Sequence, residues 1–524
     1  MFDIRRPTWR QSVALAMLIV IGLMLSGWIL ADRLMPPAVG TPSTTLPLQP
    51  GQTVIDRELA PLLATHPGES GVILLSEGLD AFAARVMATR QAGRSLDVQY
   101  YIWHDDITGR LLAHELWKAA DRGVRVRLLL DDMNATDKDA KWLALDRHPN
   151  IELRLYNPFR NRQGLERVIE LVQRAFSLNH RMHNKAWIAD GRAAIVGGRN
   201  IGVEYFDASE ESNFRDLDAL VFGPVVAEAS HTFDAYWNSA AVVPISALRR
   251  KPKALTEAFL ADMREELKGP QAQAYLRRVA DRKALHDYSE GRLTPHWSAN
   301  VRIVADPPVK RTREKHTDWL VDKIEAQLRT TRQQALLVSP YFVPGDAFTD
   351  EMVKAVRDGT QVGIVTNSLA ANDVFAVHGG YAGYRKRLLA GGVQLHELRA
   401  EPSSEASGSA FGSSGASLHT KAYVLDGRRG FIGSYNLDPR SAYLNTEMGL
   451  MFDDPAIGRE LVAEYLRLSK PASSYWLYLD GRQRLRWLDR SQSPPRVYDR
   501  EPEASWLRRT KARIAGWLPI ESQL

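Results

Sequence analysis

Residues 183–200 read HNKAWIADGRAAIVGGRN, and residues 419–436 read HTKAYVLDGRRGFIGSYN. The two stretches align without a gap, so the same residue types recur at the same spacing. The matched positions are His183, Lys185, Asp190, Gly197 and Asn200 in the first copy and His419, Lys421, Asp426, Gly433 and Asn436 in the second. A duplication that keeps reactive side chains at matched positions indicates one active site assembled from two half-sites.

Each copy supplies an imidazole, an ammonium group and a carboxamide. Imidazole serves as nucleophile or general acid near neutral pH, Lys is a common phosphate ligand, and Asn can donate to a phosphoryl oxygen. Such fixed cations and donors stabilise the charge that builds up during phosphoryl transfer. The pattern therefore favours attack on a phosphodiester by one His and protonation of the leaving oxygen by the other. A metal site is disfavoured, because Lys is not a usual ligand and clustered thiolates or carboxylates are missing.

The spacing predicts a strand, a tight turn and a second strand in each copy. Asp190-Gly191 and Asp426-Gly427 each separate two short apolar runs, which is a strong hairpin signal. The His and Lys of each copy are two residues apart on the first strand, so their side chains point to one face. We assign the two Asp residues, Asp190 and Asp426, supporting roles in the turn or in a local ion pair.

The signature, H-x-K-x-x-x-x-D followed by two small residues and Asn, resembles that of the phospholipase D superfamily. The second copy keeps the family's Gly-Ser pair as Gly433-Ser434, whereas the first has Gly197-Gly198, so a hydroxyl contact to phosphate is expected to be absent there. Other stretches within residues 66–475 look like bacterial cardiolipin synthases of the C type. They are SLDVQYYIWHDDITGRLL (95–112), RVRLLLDDMN (125–134), VGGRNIGVEYF (196–206), TNSLAANDVFAVHGGY (366–381) and GSYNLDPRSAYLNTE (433–447).

The resemblance implies a ping-pong reaction through a phosphohistidine. By position, His183 would be the nucleophile and His419 the general acid, although the two copies are nearly equivalent and the reverse order stays open. The phosphoryl oxygens would be held by Lys185, Lys421, Asn200 and Asn436. The family also uses a carboxylate downstream of each motif to orient a His ring, and Glu447 and Asp216 fit this role. The alternative for both carboxylates is a solvent-facing position at the end of a strand.

The rest of the chain predicts an α/β protein of two similar phospholipase D-like domains, with the active site at their interface. A strand, a helix and a strand precede each motif, which implies parallel pairing in a mixed sheet flanked by helices. Asp131 and Asp132 end one such strand, where helix capping is the favoured role. The predicted segments are a membrane anchor or signal segment at 1–35, a linker at 36–65, domain 1 at 66–245, a helical connector at 246–296, domain 2 at 297–475 and a basic aromatic tail at 476–524.

Residues 13–31 are uncharged and mostly apolar, and they are numerous enough to cross a bilayer. Arg5, Arg6 and Arg10 precede them, so the positive-inside rule places the catalytic domains on the outer or periplasmic side. We expect a single-pass anchor in the bacterial inner membrane, with a cleaved signal peptide as the alternative. The chain has no Cys, which excludes disulfides and lipoprotein attachment.

Two further segments carry weaker signals. Residues 504–518 mix Trp with Arg and Lys, which suits either an anionic lipid interface or a terminal helix packed on the domain. Residues 402–417 are rich in Ser, Gly and Ala and precede His419, as expected for a lid or for a surface insertion. The net charge of +6 over 524 residues is weak evidence for nucleic acid.

The sequence therefore predicts a membrane-anchored phosphatidyltransferase that needs no cofactor and no metal. It would make cardiolipin from phosphatidylglycerol and a second phospholipid, with phosphatidylethanolamine as a candidate donor. The alternatives are a phospholipid hydrolase, a nucleic-acid phosphodiesterase and a non-catalytic membrane scaffold. The anchor argues against nucleic acid as a partner, and the two intact motifs argue against a scaffold. The need for an accessory protein partner and the oligomeric state are left open.

Overall fold

The structure is a computed structural model. It describes residues 40–135, 139–159, 179–248, 253–283, 292–310, 318–400, 417–518 and 521–523, together with isolated positions before residue 40 and between these ranges.

The described chain is an α/β protein with two large mixed sheets. Strands β1 to β10 are Ser70–Leu75, Ser95–Tyr100, Arg125–Asp131, Ile151–Tyr156, Ala186–Ala189, Ala193–Gly197, Phe214–Arg215, Asp218–Phe222, Val242–Pro244 and His296–Ser298. Strands β11 to β21 are Val301–Ala305, Gln334–Val338, Gln361–Asn367, Gln394–Leu398, Ser417–Leu418, Ala422–Leu425, Arg429–Gly433, Met448–Asp453, Ser474–Leu479, Leu485–Asp489 and Arg496–Tyr498.

Helices cover the sheets and connect their strands. Helices α1 to α8 are Val54–Thr65, Gly78–Gln91, Ile107–Asp121, Asp139–Leu145, Val225–Trp237, Ile245–Leu248, Lys253–Glu266 and Pro270–Ala280. Helices α9 to α15 are Leu320–Arg329, Gly345–Arg357, Phe375–Ala382, Arg385–Ala390, Pro439–Tyr443, Pro455–Ser469 and Trp506–Trp517. Short 3-10 turns lie at Asp132–Asn134, Val203–Tyr205 and Glu521–Gln523.

The two sheets repeat one topology, which confirms the predicted duplication. The first has the order β10-β1-β8-β6-β5-β2-β3-β4-β9, and the second has β11-β18-β17-β16-β12-β13-β14-β19-β20-β21. In each sheet three neighbouring strands are parallel, β2-β3-β4 and β12-β13-β14, and the motif hairpin lies antiparallel beside them. Each motif therefore occupies the same place in its own sheet.

Side chains alternate between the two faces of each sheet, and this produces three buried apolar layers. In β6, Ile195 faces the core beneath the helices of the first half, while Ala194 and Val196 face a central core. That central core also receives side chains of the second sheet, among them Val424 and Ile432. Successive strand residues point to opposite faces, so one sheet serves both its own helices and the facing half.

The Asp-Gly pairs form the turns that the sequence predicts. Asp190 and Gly191 have φ of 54° and 64°, and Asp426 and Gly427 have φ of 52° and 66°, as a type I′ hairpin requires. The Asp190 carboxylate accepts backbone N–H groups of residues 93–95, and the Asp426 carboxylate accepts those of residues 332–334. Each Asp thus ties the hairpin turn to the start of the neighbouring parallel strand, at the opposite end of the hairpin strand from His and Lys.

The ends of the chain differ in what the structure describes. The segment predicted as an anchor, 13–31, lies largely outside the described residues, and no described helix combines the length and the hydropathy needed to cross a bilayer. The predicted lid at 402–417 is described only at Ser417. Residues beyond 475, predicted as a tail, contain strands β20 and β21 at the edge of the second sheet, followed by helix α15 and the 3-10 turn Glu521–Gln523.

We expect Asp190→Ala to lower the free energy of unfolding by about 2 kcal/mol, because buried backbone N–H groups at the start of β2 would lose their acceptor. Asp426→Ala should cost less, since that carboxylate is partly exposed to water. Urea unfolding followed by circular dichroism measures both changes. Turnover per folded molecule should stay near that of the wild type, and loss of turnover without loss of stability would contradict the turn role.

Candidate active site between the two halves

The two His-x-Lys stretches are held in place by the opposite half of the chain. The His183 N–H donates to the Thr446 carbonyl at 2.9 Å, and the His419 N–H donates to the Arg215 carbonyl at 2.8 Å. Parallel pairing accompanies both contacts, since Met182 pairs with Thr446 and strand β15 pairs with strand β7. The site is therefore built where the halves meet, and each carbonyl belongs to the residue before a candidate carboxylate.

Each imidazole binds the carboxylate of the other half. His183 Nδ1 lies 2.8 Å from Glu447 Oε2, and His419 Nδ1 lies 2.6 Å from Asp216 Oδ2. All four side chains are buried, which rules out the solvent-facing alternative for the carboxylates. The sequence suggested one carboxylate downstream of each motif but not this crossing. With Nδ1 engaged, Nε2 is the nitrogen that each ring offers to a substrate.

Aromatic rings fix the planes of both imidazoles. The Tyr101 ring meets His183 edge-on with centroids 5.1 Å apart, and the Tyr205 ring meets His419 in the same way at 5.1 Å. Phe214 stacks on His419 at 5.3 Å. The sequence analysis assigned no role to these rings, although two of them lie in stretches quoted for the family resemblance.

The two lysines lie buried at the centre of the site. Lys185 Nζ donates to the His183 carbonyl at 2.5 Å, and Lys421 Nζ donates to the His419 carbonyl. Burial lowers the pKa of Lys185 well below its usual value and that of Lys421 to about 8. The Lys421 charge also contributes to the lowered pKa of Lys185, which means that the two ammonium groups repel each other. An anion placed between them would relieve this repulsion.

The two Asn side chains stand in different surroundings. Asn200 accepts the Ile102 N–H at 3.2 Å and donates to the Tyr205 hydroxyl at 3.0 Å. Asn436 is also buried, and its Oδ1 has no hydrogen-bond partner among the described residues. Asn200 therefore organises the first half of the site, while Asn436 has bonding capacity left for a ligand.

Burial makes both imidazoles neutral at pH 7. It lowers the pKa of His183 well below 6.5 and that of His419 to about 4, and the nearby lysines act in the same direction. Burial also raises the pKa of Glu447 to about 7. For Asp216, burial acts upward, but His419 and Lys421 together hold the pKa of the carboxyl below its usual value. A neutral imidazole that donates its Nδ1 proton to a carboxylate keeps the lone pair on Nε2.

The Gly198 and Ser434 positions differ for a steric reason. A Cβ on Gly198 would lie 2.2 Å from Asp216 Oδ1, so only Gly leaves room for that carboxylate. At the matched position of the second half, the Ser434 hydroxyl donates to the Glu447 carboxylate. The Ser434 hydroxyl, which was expected to contact phosphate, therefore bonds a carboxylate instead. In the first half, the absence of a side chain at Gly198 leaves room for the Asp216 carboxylate.

Residues 87–237 and 324–469 match the family model described as cardiolipin synthase, phospholipase D-like domain. The chain belongs to this family. Cardiolipin synthase C of Escherichia coli (strain K12) is 40% identical over 472 residues, which cover 88% of this chain and 98% of that protein. Cardiolipin synthase B of Salmonella typhi is 26% identical over 388 residues, which cover 74% of this chain and 78% of the relative. The resemblance drawn from the motifs is thus confirmed.

The fold also matches that of a solved structure. The crystal structure of phosphatidylserine synthase from Haemophilus influenzae Rd KW20 aligns with a TM-score of 0.56 and 14% identity, over 87% of this chain and 95% of that chain. At this identity the likeness extends to the fold alone.

In this cardiolipin synthase family member, two further carboxylates, those of Asp131 and Asp306, position the site from outside. Asp131 accepts the Met182 N–H at 2.9 Å, next to His183, and also the Met133 N–H of the turn that it caps. Asp306 accepts the Glu447 N–H at 2.9 Å. Asp132 accepts the Phe159 N–H. Asp306 lies outside every motif in the sequence, so its role could not be predicted from the spacing of residues.

Among the described residues, His104, Asp106 and Glu204 could together hold a metal ion, with donor atoms within 4.8 Å of one another. The Asp106 carboxylate, however, accepts N–H groups of Gly109 and Val203. His104 Nδ1 lies 3.1 Å from Glu204 Oε1. These bonds account for the cluster without an ion.

We expect Glu447→Gln to reduce turnover by about 10³-fold, because the amide no longer selects the right His183 tautomer. Asp216→Asn should act in the same way through His419. Steady-state kinetics on folded protein measures both losses. The matched control is Glu464→Gln, which removes a buried carboxylate that pairs with Arg467. Equal activity of Glu447→Gln and the control would contradict the orienting role.

Proposed function

We propose that this protein, a phosphatidyltransferase of the phospholipase D superfamily, makes cardiolipin from phosphatidylglycerol and a second phospholipid. The observation that carries the proposal is the crossed pair of contacts, His183 with Glu447 and His419 with Asp216, around two buried lysines. Such a site provides two imidazoles for one phosphodiester. The proposal is further supported by the 40% identity to a cardiolipin synthase of nearly the same extent.

In the first step, His183 Nε2 attacks the phosphorus of the donor lipid. A P–N bond forms, the P–O bond to the headgroup breaks, and His419 gives its Nε2 proton to the leaving oxygen. His419 acquires that proton as the anionic phosphodiester enters, since a nearby negative charge raises the pKa of an imidazole. Lys185 and Lys421 neutralise the charge on the phosphoryl oxygens.

In the second step, the hydroxyl of phosphatidylglycerol takes the place of the departed headgroup. His419, now neutral, removes the hydroxyl proton as the oxygen attacks phosphorus. The P–N bond breaks, His183 returns to its neutral form, and cardiolipin leaves. Both imidazoles are less than a tenth exposed, which disfavours water as the competing acceptor. This burial favours transfer over the hydrolase alternative.

The surroundings of the two rings favour this order of roles. Asp216 has a lowered pKa and stays ionised, so it stabilises the imidazolium that His419 must become. Glu447 has a pKa of about 7, and its carboxylate also accepts a hydrogen bond from the Ser434 hydroxyl. It therefore stabilises a positive charge on His183 less well. His183 is therefore the better nucleophile and His419 the better acid.

We place the reaction at the bacterial inner membrane. Residues 13–31 supply a stretch of sufficient length and hydropathy for a single-pass anchor, and Arg5, Arg6 and Arg10 favour catalytic halves on the periplasmic side. Phosphatidylglycerol and the donor lipid would then reach the site from the membrane itself.

Full-length protein incubated with phosphatidylglycerol should yield cardiolipin by mass spectrometry of the lipids. Dependence of the yield on added phosphatidylethanolamine would identify the donor. His183→Ala and His419→Ala should each abolish the product at unchanged folding. Phosphatidic acid without cardiolipin would mean hydrolysis, and cleavage of nucleic acid with unchanged lipids would contradict the lipid assignment.

The order of the two His roles can be tested with a phosphatidyl ester of p-nitrophenol, whose departure needs no proton. We expect His419→Ala to release about one equivalent of nitrophenolate in a burst, because attack by His183 still occurs. His183→Ala should release none. The radiolabelled phosphatidyl group should remain on His183 after denaturation at mildly alkaline pH. A burst from His183→Ala alone would reverse the assignment.

A further inference from the structure

Helix α15 turns its apolar side to solvent. Trp506 is 73% exposed and Trp517 is 75% exposed. The other exposed apolar side chains of this segment are Leu507, Ile514 and Leu518. Each residue advances a helix by about 100°, which places these five side chains within an arc of about 120°. Helices packed on a domain usually bury their apolar side, so this orientation needs a partner.

The opposite side of α15 is packed against helix α11. Ala512 and Ala515 are buried, and a Cβ on Gly379 would come within 2.4 Å of the Ala512 carbonyl. The Arg508 guanidinium donates to the Asn372 carbonyl. After the helix, the Glu521 carboxylate accepts the Tyr384 hydroxyl at 2.5 Å. Contacts on both ends hold the helix in one orientation, so the outward apolar arc is not the result of a loose terminus.

Helix α11, against which α15 packs, borders the active site. Val374 and Phe375, at the start of α11, are exposed apolar side chains. Their neighbour Asp373 accepts the Tyr341 hydroxyl at 2.8 Å. The Tyr341 carbonyl in turn accepts the Ser339 hydroxyl, and that hydroxyl accepts the N–H of Leu437, the residue after Asn436.

The chain after α15 reaches the other half-site. The Arg440 guanidinium donates to the Gln523 carbonyl at 3.4 Å. The same guanidinium donates to the Asn179 carbonyl at 3.2 Å, four residues before His183. Helix α15 and residues 521–523 therefore lie alongside the site near both motif copies.

The charges of this segment identify the partner. Residues 506–518 contain four basic residues and no acidic one. They are Arg508, Arg509, Lys511 and Arg513. An apolar arc with Trp near both ends and a basic border matches the interface of an anionic bilayer, where Trp rings lie at headgroup depth.

We propose that Val374, Phe375 and the outward arc of α15 form an interfacial surface that seats the active site on an anionic phospholipid bilayer. The surface would place the opening of the site at headgroup depth, where the phosphodiesters of both substrates lie. This inference rests on the proposed function for its purpose, but the contact with lipid can be measured without turnover.

The absence of Cys from the chain allows a single label to be placed in full-length protein. Ile514→Cys, carrying an environment-sensitive fluorophore, would be reconstituted in vesicles that contain phosphatidylglycerol. Leu466→Cys on helix α14 is the matched control, since Leu466 is 58% exposed and Ile514 is 50% exposed. Both proteins keep residues 13–31, so an anchor there cannot cause a difference between them.

We expect the label at 514 to shift to the blue and to be quenched several-fold more strongly by nitroxide lipids than the label at 466. Vesicles of phosphatidylcholine alone should weaken the effect. Equal access of an aqueous quencher to both labels would overturn the proposal.

Activity provides a second readout. The double variant Trp506→Ser, Trp517→Ser should lose about ten-fold in turnover on vesicles and keep its turnover on detergent-dispersed short-chain lipid. Leu466→Ser is the control, and unchanged vesicle turnover of the double variant would count against the surface. If the label at 514 enters the lipid while even the wild type makes no cardiolipin, the surface stands and the proposed reaction fails.

Discussion

The hydrogen bond between an imidazole of one half and a carboxylate of the other is the interaction on which the site depends. His183 receives its acceptor from Glu447, and His419 from Asp216. An imidazole needs an acceptor on Nδ1 to keep its lone pair on Nε2, so neither ring is competent within its own half. The central core between the sheets, the β7–β15 pairing and the Met182–Thr446 bridge all hold the halves in the register that this exchange requires.

The same crossing explains how a buried site can hold so many ionisable groups. Two lysines, two imidazoles and two carboxylates share one desolvated volume, where an unpaired charge would be costly. Lowered pKa values keep the imidazoles neutral, and Asp216 and Glu447 partly compensate the ammonium groups. The remaining positive potential of the two lysines suits a phosphodiester anion, so the site is electrostatically complementary to such a ligand.

The sequence predicted the parts of this protein that follow from local spacing. The Asp-Gly turns, the hairpins and the duplicated α/β order are short-range consequences of side-chain alternation and backbone preference, and the structure contains them. The crossing of the carboxylates is a long-range result, since chain order places Asp216 closer to His183 than to His419. Asp306 and the rings of Tyr101, Tyr205 and Phe214 act through tertiary contacts that leave no periodic trace. The orientation of α15 could not be predicted from the sequence either. Periodicity shows which side of a helix is apolar, but it does not show whether that side faces the domain or the solvent.

The pairing of small residue and carboxylate has a consequence for the symmetry of the site. Gly198 accommodates Asp216, and Ser434 bonds Glu447, so each couple lies within one half, whereas the imidazole that it serves lies in the other. The two halves therefore differ in these couples, with Gly and Asp in one and Ser and Glu in the other, while each distant ring still meets a carboxylate oxygen at hydrogen-bond distance. The duplicated copies thus form an asymmetric pair of half-sites that share the same imidazoles.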